Sequence, residues 1–292
     1  MPDRVLIVNP WASGVTEERT IEVARALGTD DVRRTERRGH AVELARAASH
    51  EADGIVVFSG DGGFNEALNG LERDVPIGFV PGGGTNVLSR ALGLPRDPVE
   101  AARRIADGRV RRISLGRVNG RRFAFAAGIG LDAELLRRME ALGRMGGRRE
   151  HDVRVAWIAL RLIAERRARF PPALEVRGVG RAAFSLVANC DPYSYLGPVP
   201  LHVAPEARFE LGLDLVAPRE VRPATLPRFV AYALRGRGQT RAPDVLYRHD
   251  VDRLDILCDG PLPLQVDGED LGDVVEAAFE TERDAVSVLV AR

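Results

Sequence analysis

The chain has 292 residues, with 42 basic and 42 acidic side chains and a formal net charge of +0. A chain of this length usually divides into more than one core, so two domains are expected, and the charge balance argues against a nucleic-acid-binding protein. Every basic group is Arg, the two Cys (Cys190 and Cys258) sit in apolar sequence without ligand spacing, and no apolar run approaches the ~18 residues of a membrane span.

Taken in order, Val5 to Val8 predicts a strand, Thr16 to Leu27 a helix capped by Thr16, Asp31 to Thr35 a short polar strand, and His40 to Ser49 a helix. Ile55 to Phe58 is a buried strand that runs into Ser59-Gly60-Asp61-Gly62-Gly63, after which Phe64, Ala67, Leu68 and Leu71 recur at helical spacing. Ile77 to Val80 repeats the pattern: a strand meets Pro81-Gly82-Gly83-Gly84-Thr85-Asn86, and Val87 to Leu92 reads as helix. Pro98 to Asp107 is a helix and Arg109 to Ser114 a strand. This alternation indicates a parallel sheet with helices on both faces. Beyond about residue 114 strands predominate, over Arg122 to Ala127, Ala173 to Val176, Phe184 to Ala188, Leu213 to Val216, Arg253 to Cys258 and Val286 to Val290. Helices over Val153 to Ala168 and Ala224 to Leu234 interrupt them. The expected architecture is α/β followed by β: a nucleotide-binding domain over 1–114 and a mostly antiparallel β-rich domain over 115–292.

Two glycine turns after neighbouring strands would lie side by side at the C-terminal edge of a parallel sheet, where open α/β sheets bind ligands. Glycine permits positive φ and close backbone approach, and a following helix start offers free N–H groups to a phosphate. Asp61 is an acid where a phosphate loop would avoid one. A bound divalent cation, a proton to be moved, or a solvated turn residue would each account for it. No Gly-Lys-Ser/Thr sequence and no protein-kinase catalytic-loop signature occurs. The five His form no HExxH arrangement, and no Gly-x-Ser-x-Gly elbow suggests a hydrolase.

NPWASG (Asn9 to Gly14), SGDGGFNEALNG (Ser59 to Gly70) and PGGGTNVLSRALGLP (Pro81 to Pro95) together resemble the nucleotide-binding motifs of the diacylglycerol kinase catalytic-domain family. That family includes bacterial soluble lipid kinases and sphingosine and ceramide kinases, and is distantly related to NAD kinases. The resemblance continues through FAAGIGLDAE (Phe125 to Glu134), LGPVPLHVAPEARFELGLDLV (Leu196 to Val216) and LQVDGEDLG (Leu264 to Gly272). It implies a Rossmann-like N-terminal domain, a β-sandwich-like C-terminal domain and a reaction in the cleft between them. It implies ATP and Mg²⁺ as cofactors. The residues it places around ATP are Asn9, Pro10, Ser13, Gly14, Thr35, Gly60, Gly62, Gly63, Asn65, Glu66, Gly83, Gly84, Thr85 and Asn86. His40 stands where the Thr35 element of the family usually has Asp.

Phosphoryl transfer to an alcohol needs alignment, charge neutralisation and a destination for the hydroxyl proton. In isolation, Asp267-Gly268 reads as a hairpin turn. The resemblance makes Asp267 the proton acceptor with Glu269 beside it, and Asp61 the metal residue that organises Mg²⁺ and its waters. Asp267→Asn is then expected to abolish turnover while ATP still binds. The chain departs from the family at Gly63, where Thr is usual, and at Val87 and Ser114, where acids are usual. At a structural metal loop it has Leu211-Gly212, with Glu210 and Asp214 alongside, so that site is expected to be weak or absent. Glu66 and Asp132 are candidates to compensate for the missing charges.

Leu135 to Arg169 carries ten Arg against Glu140, Glu150, Asp152 and Glu165. Gly143-Arg144-Met145-Gly146-Gly147-Arg148-Arg149 reads as a mobile basic loop. Beside it Val155, Trp157, Ile158, Leu160, Leu162 and Ile163 form an apolar helix face, which suits either core packing or an anionic membrane. The expected function is an ATP- and Mg²⁺-dependent lipid kinase acting on diacylglycerol, a sphingoid base or another glycerolipid. Its alternatives are a catalytically decayed nucleotide-binding protein of the same fold and an NAD kinase-like enzyme for a soluble alcohol. The opening MPDRVLIVNP lacks a signal-peptide pattern. The expected location is therefore cytoplasmic, with peripheral contact at the inner membrane face through 137–169, a lipid as partner, no nucleic acid, and a homodimer left open.

Overall fold

The structure, a computed structural model, describes residues 3–141 and 148–292. The chain groups into two compact units, Met1–Leu115 with Arg283–Arg292, and Gly116–Glu282. A split at residue 114 would leave the last ten residues with the second domain, whereas here they pack with the first.

In the first unit β1 (Arg4–Val8), α1 (Glu17–Leu27), β2 (Val32–Arg34), α2 (His40–Glu51), β3 (Gly54–Ser59), α3 (Asp61–Gly70), β4 (Ile77–Pro81), α4 (Val87–Ala91) and α5 (Pro98–Ala106) alternate along the chain. The strands pair in parallel in the order β4, β3, β1, β2. All six residues of β3 and all five of β4 are buried, as continuous apolar runs in a covered parallel sheet should be. Leu6, Val8, Val56, Phe58 and Val80 from the strands pack against Val23 and Leu27 of α1 and Ala101, Ala102 and Ile105 of α5. Thr16 caps α1 by accepting from the Arg19 N–H, and Gly28 in the left-handed conformation ends it.

The second unit opens as β5 (Arg109–Val118) leaves the first. It contains β6 (Arg121–Phe123), β7 (Ala126–Ile129), α6 (Leu131–Ala141), α7 (Arg148–Glu165), β8 (Leu174–Val176), β9 (Gly180–Ala182), β10 (Ser185–Ala188), β11 (Ser194–Leu196) and β12 (Val199–Leu201). β13 (Leu213–Pro218), α8 (Leu226–Arg235), β14 (Val245–Val251), β15 (Arg253–Val266) and β16 (Glu269–Val290) follow. Its sheet is antiparallel in the order β14, β13, β10, β7, β15, β16. Phe123 and Phe279 meet edge-on inside its core, with ring centroids 6.3 Å apart. The far end of β16 belongs to the first unit, where Val288 pairs in parallel with Ile77 of β4. The apolar pattern marks only Val286 to Val290 of this 22-residue strand. Its earlier part, GDVVEAAFETERD, carries too many charges to show a clean apolar alternation.

Candidate active site

The register of the first sheet brings the glycine turns together. Ser59 of β3 is the partner of Pro81 of β4, so Gly60 and Gly82 leave the sheet side by side. The Gly82 N–H donates to the Ser59 carbonyl at 2.6 Å, and the Gly14 N–H donates to the Gly82 carbonyl at 2.7 Å. Three turns, Asn9 to Gly14, Gly60 to Gly63 and Gly82 to Asn86, are thus joined at one edge.

Close approach, not unusual backbone, is what these glycines supply. None of Gly60, Gly62, Gly63, Gly82, Gly83 or Gly84 has a positive φ; Asn86 does, at 52°. A Cβ on Gly83 would stand 2.8 Å from the Gly60 Cα, and one on Gly63 would lie 2.8 Å from the Ser59 Cβ. Gly84 differs. It is exposed, and a Cβ there would meet nothing within 4 Å. The fold therefore does not require glycine at 84, and the space in front of its backbone is open.

Helix α3 begins at Asp61, so Gly62 and Gly63 lie in its first turn rather than in a preceding loop. No side chain caps this end, which leaves first-turn N–H groups as donors for an anion. The Asp61 carboxylate reaches the second glycine turn. Its Oδ2 accepts from the Val87 N–H at 2.9 Å and its Oδ1 from the Leu88 N–H at 3.1 Å. It caps α4 and ties the first glycine turn to the second.

Several residues expected around ATP serve the protein itself. Asn86 accepts from the Gly83 N–H through Oδ1 and donates to the Gly83 carbonyl through Nδ2, each at 2.7 Å. Glu66 accepts from the Gly39 N–H at 2.9 Å and so caps α2. Asn65 is buried and accepts from the Asn69 side chain. Thr35 is buried, and its N–H donates to the Val8 carbonyl at 2.9 Å. Asn9 closes its own turn by accepting from the Trp11 N–H. Pro10, Ser13 and Gly84 are exposed, and Gly14, Gly60, Gly62, Gly63, Gly83 and Thr85 are partly so. Six of these nine accessible positions are glycines, which present only backbone. Beside it Trp11 stands 58% exposed, a side chain the motifs did not single out.

In the second unit Asp267 is 1% exposed, with φ +47° at the β15–β16 turn. Its Oδ2 accepts from the Ala124 N–H at 2.7 Å, and its Oδ1 from the Phe125 and Ala126 N–H groups at 3.0 and 3.1 Å. The carboxylate expected to take the proton is thus buried and held by three backbone donors. Glu269 pairs with Arg121 at 2.7 Å, and Arg137 grips Asp270 bidentately at 2.7 and 2.9 Å. Asp132, expected only as a compensating charge, sits in a cluster that the sequence did not reveal. Its Oδ2 accepts from the Tyr193 hydroxyl at 2.7 Å and from Gln265 Nε2 at 2.9 Å. Gln265 Oε1 in turn accepts from the Gly268 N–H at 3.0 Å, which links the cluster to the Asp267 turn. Burial pushes the Asp132 carboxyl above the usual carboxylate range, with the Tyr193 and Gln265 hydrogen bonds opposing the shift. The residues involved lie 61 and 133 positions from Asp132, a separation no local spacing could signal.

The described residues do not fit a protein-held Mg²⁺. No group of three or more His, Cys, Asp or Glu among them could hold a metal ion. Both Asp61 oxygens are engaged by α4. Asp214, at the loop compared above with a structural metal site, accepts from Tyr247, His249 and the Asp250 N–H. The expected basic loop lies largely outside the described residues; Arg148 and Arg149 open α7.

Residues 3–118 match the sequence model of the Diacylglycerol kinase catalytic domain. A diacylglycerol kinase of Bacillus subtilis (strain 168) is 41% identical over 102 residues, 33% of this chain and 34% of that protein. Sphingoid long-chain bases kinase 1 of Arabidopsis thaliana is 40% identical over 88 residues, 27% of this chain and 12% of that protein. The matched segment spans about a third of the curated diacylglycerol kinases. The crystal structure of a diacylglycerol kinase from Bacillus anthracis str. Sterne matches the fold with a TM-score of 0.73 at 21% identity, over 99% of this chain and 96% of that one. An NAD kinase from Archaeoglobus fulgidus in complex with ATP matches at a TM-score of 0.51 and 14% identity, over 99% and 94% of the two chains.

Proposed function

We propose that this chain, whose residues 3–118 match the diacylglycerol kinase catalytic domain, transfers the terminal phosphoryl group of ATP to a lipid hydroxyl. The observation that carries the reading is the joined pair of glycine turns, with open space in front of Gly84 and uncapped N–H groups at the start of α3. Backbone donors aimed at one edge of a parallel sheet suit a triphosphate. Diacylglycerol is the first substrate, and a sphingoid base or another glycerolipid the next. The roles of the glycine-turn residues toward ATP are part of this proposal. Mg²⁺ is assigned to the nucleotide phosphates and not to a protein cage, in keeping with how Mg²⁺ usually binds.

By resemblance the hydroxyl proton passes to Asp267. Its burial under three backbone N–H groups favours a second reading, in which Asp132 takes the proton. A carboxyl raised by burial lies closer to the working pH of a general base. Asp132 is also held by a tyrosine hydroxyl and a glutamine, which can rearrange as it protonates. The missing acids at Val87 and Ser114 support one further alternative, a decayed enzyme that binds ATP without transferring it.

Gly84→Glu is the test. A side chain at 84 meets open space, so the variant should melt like the wild type while ATP binding falls by at least tenfold. Unchanged ATP affinity would remove the glycine turns from the nucleotide site. Labelled ATP incubated with a total lipid extract should yield one phosphorylated lipid with the wild type. ATP binding without any labelled lipid would establish the decayed alternative.

A further inference from the structure

We infer that the Trp11 indole is the platform on which the purine base of the nucleotide stacks, so that GTP is bound about as tightly as ATP. The platform presupposes the triphosphate site proposed above at the glycine turns. The turn that carries Trp11 crosses the edge of the sheet. It leaves β1 at Asn9, whose N–H donates to the Phe58 carbonyl of β3 at 3.0 Å, and it ends at Gly14, whose N–H donates to the Gly82 carbonyl beyond β4. β3 lies between β1 and β4, so the turn passes over the end of β3, where Gly60 leads into α3. Backbone pins it on both sides of Trp11. The Trp11 N–H donates to Asn9 Oδ1 and the Ala12 N–H to the Asn9 carbonyl, each at 3.1 Å. Ala12 is buried, and a Cβ on Gly14 would stand 2.9 Å from the Gly82 carbonyl oxygen. Trp11 is nevertheless 58% exposed. Tryptophan is well buried on average, and one held open on a fixed turn offers a flat contact surface at little entropic cost.

The surroundings of the ring select stacking over base reading. Adjacent strands lie about 4.8 Å apart, so the ends of β1 and β4 are about 10 Å apart, a span that carries a nucleotide from its phosphates to its base. The amide and carboxylate side chains of this edge are spent on the fold: Asn9 on the Trp11 N–H, Asn86 on Gly83, Glu66 on the Gly39 N–H, and Asp61 on α4. The Ser13 and Thr85 side chains are accessible, but a hydroxyl both donates and accepts, so neither distinguishes adenine from guanine. A base here meets an aromatic face and glycine backbone. Base–aromatic stacking is indifferent to sequence because every base has a π-face, and the two purines offer an indole the same bicyclic overlap.

The experiment titrates the full chain with ATP, GTP and inorganic tripolyphosphate in the presence of Mg²⁺, by calorimetry. The wild type should bind ATP and GTP with dissociation constants within about fivefold of each other, a difference of about 1 kcal/mol. Trp11→Ala should lose at least about fivefold in affinity for both nucleotides, the low end of what a lost stacking partner costs. Its tripolyphosphate affinity and melting curve should not change, since the triphosphate meets only the glycine turns and position 11 is exposed. Trp11→Phe should restore most of the nucleotide affinity. In a Trp157→Phe background Trp11 is the one remaining tryptophan, and its emission should be quenched by ATP and by GTP but not by tripolyphosphate. Full ATP affinity in Trp11→Ala overturns the inference and leaves the kinase reading standing. So does a preference for ATP over GTP wider than that fivefold range, which would mean that the base is read by hydrogen bonds. An equal loss of tripolyphosphate affinity in Trp11→Ala also overturns it, by giving the residue to the shape of the turn. A wild type that binds none of the three removes the nucleotide site itself and the platform with it.

Discussion

Asp267 is buried and Asp132 half-buried, and the two carboxylates should respond differently to substitution. Asp267→Ala strands the N–H groups of Ala124, Phe125 and Ala126. A buried unsatisfied donor costs about 1–3 kcal/mol, so a loss of more than ~2 kcal/mol is expected in urea unfolding, whatever happens to turnover. Asp132 behaves in the opposite sense. Its folded-state pKa is raised, so the native state binds the proton more tightly than the unfolded chain. The stabilisation from that proton is complete below the unfolded value of about 3.9 and is lost as pH rises through the folded one. Asp132→Asn should therefore melt higher than the wild type at about pH 8, and the difference should shrink as the pH falls toward about 4. A gap that does not depend on pH would contradict this. Trp11, exposed beside the glycine turns, should lose fluorescence when ATP binds, and the Trp11→Phe variant should lose that signal.

At the scale of elements, the strands β1, β3 and β4 and the glycine turns after them were legible because a covered parallel strand is an unbroken apolar run. The purpose of each turn residue was not. Asp61 was expected to organise a cation and caps α4 as well; Asn86 was expected at the nucleotide and closes its own turn as well. Caps and contacts draw on the same residue types, and only coordinates tell whether the acceptor faces a helix end or open space. Asp61→Ala should accordingly cost about 0.5–2 kcal/mol, the range for a lost helix cap, measured as a shift in the urea midpoint. Gly83→Ala tests the joining of the turns. Its Cβ would press on the Gly60 Cα from 2.8 Å and on Asn86 Oδ1 from 3.0 Å. It should destabilise by about 1–3 kcal/mol as an overpacking change and weaken ATP binding, whereas Gly84→Glu should do only the second. Equal stability loss at 83 and 84 would mean that the two glycines do not have the distinct roles described.

For the whole molecule, the two-domain plan followed from the change in texture near residue 114, but the discontinuity of the first unit did not. Arg283–Arg292 carries Val286, Val288, Leu289 and Val290, all buried, and Val288 joins β4. No helix among the described residues is long and apolar enough to cross a membrane. A fragment of residues 1–118, close to the segment that matches the family, lacks that strand. It should show no cooperative thermal transition alone, and should gain one when 283–292 is fused through a flexible linker. A cooperative melt of 1–118 by itself would show the last strand to be dispensable.

The displaced strand also sets an order of events on the ribosome. Amino-terminal domains commonly fold while the remainder is still being made. Here the parallel sheet keeps β4 waiting for a neighbour encoded after the whole of Gly116–Glu282. Until that neighbour emerges, Ile77 and its surroundings present an open flank to chaperones, and a nascent chain stalled anywhere before residue 286 would expose an apolar strand in search of a partner. A slow codon late in the message should therefore reduce the yield of the first unit as much as that of the half being translated.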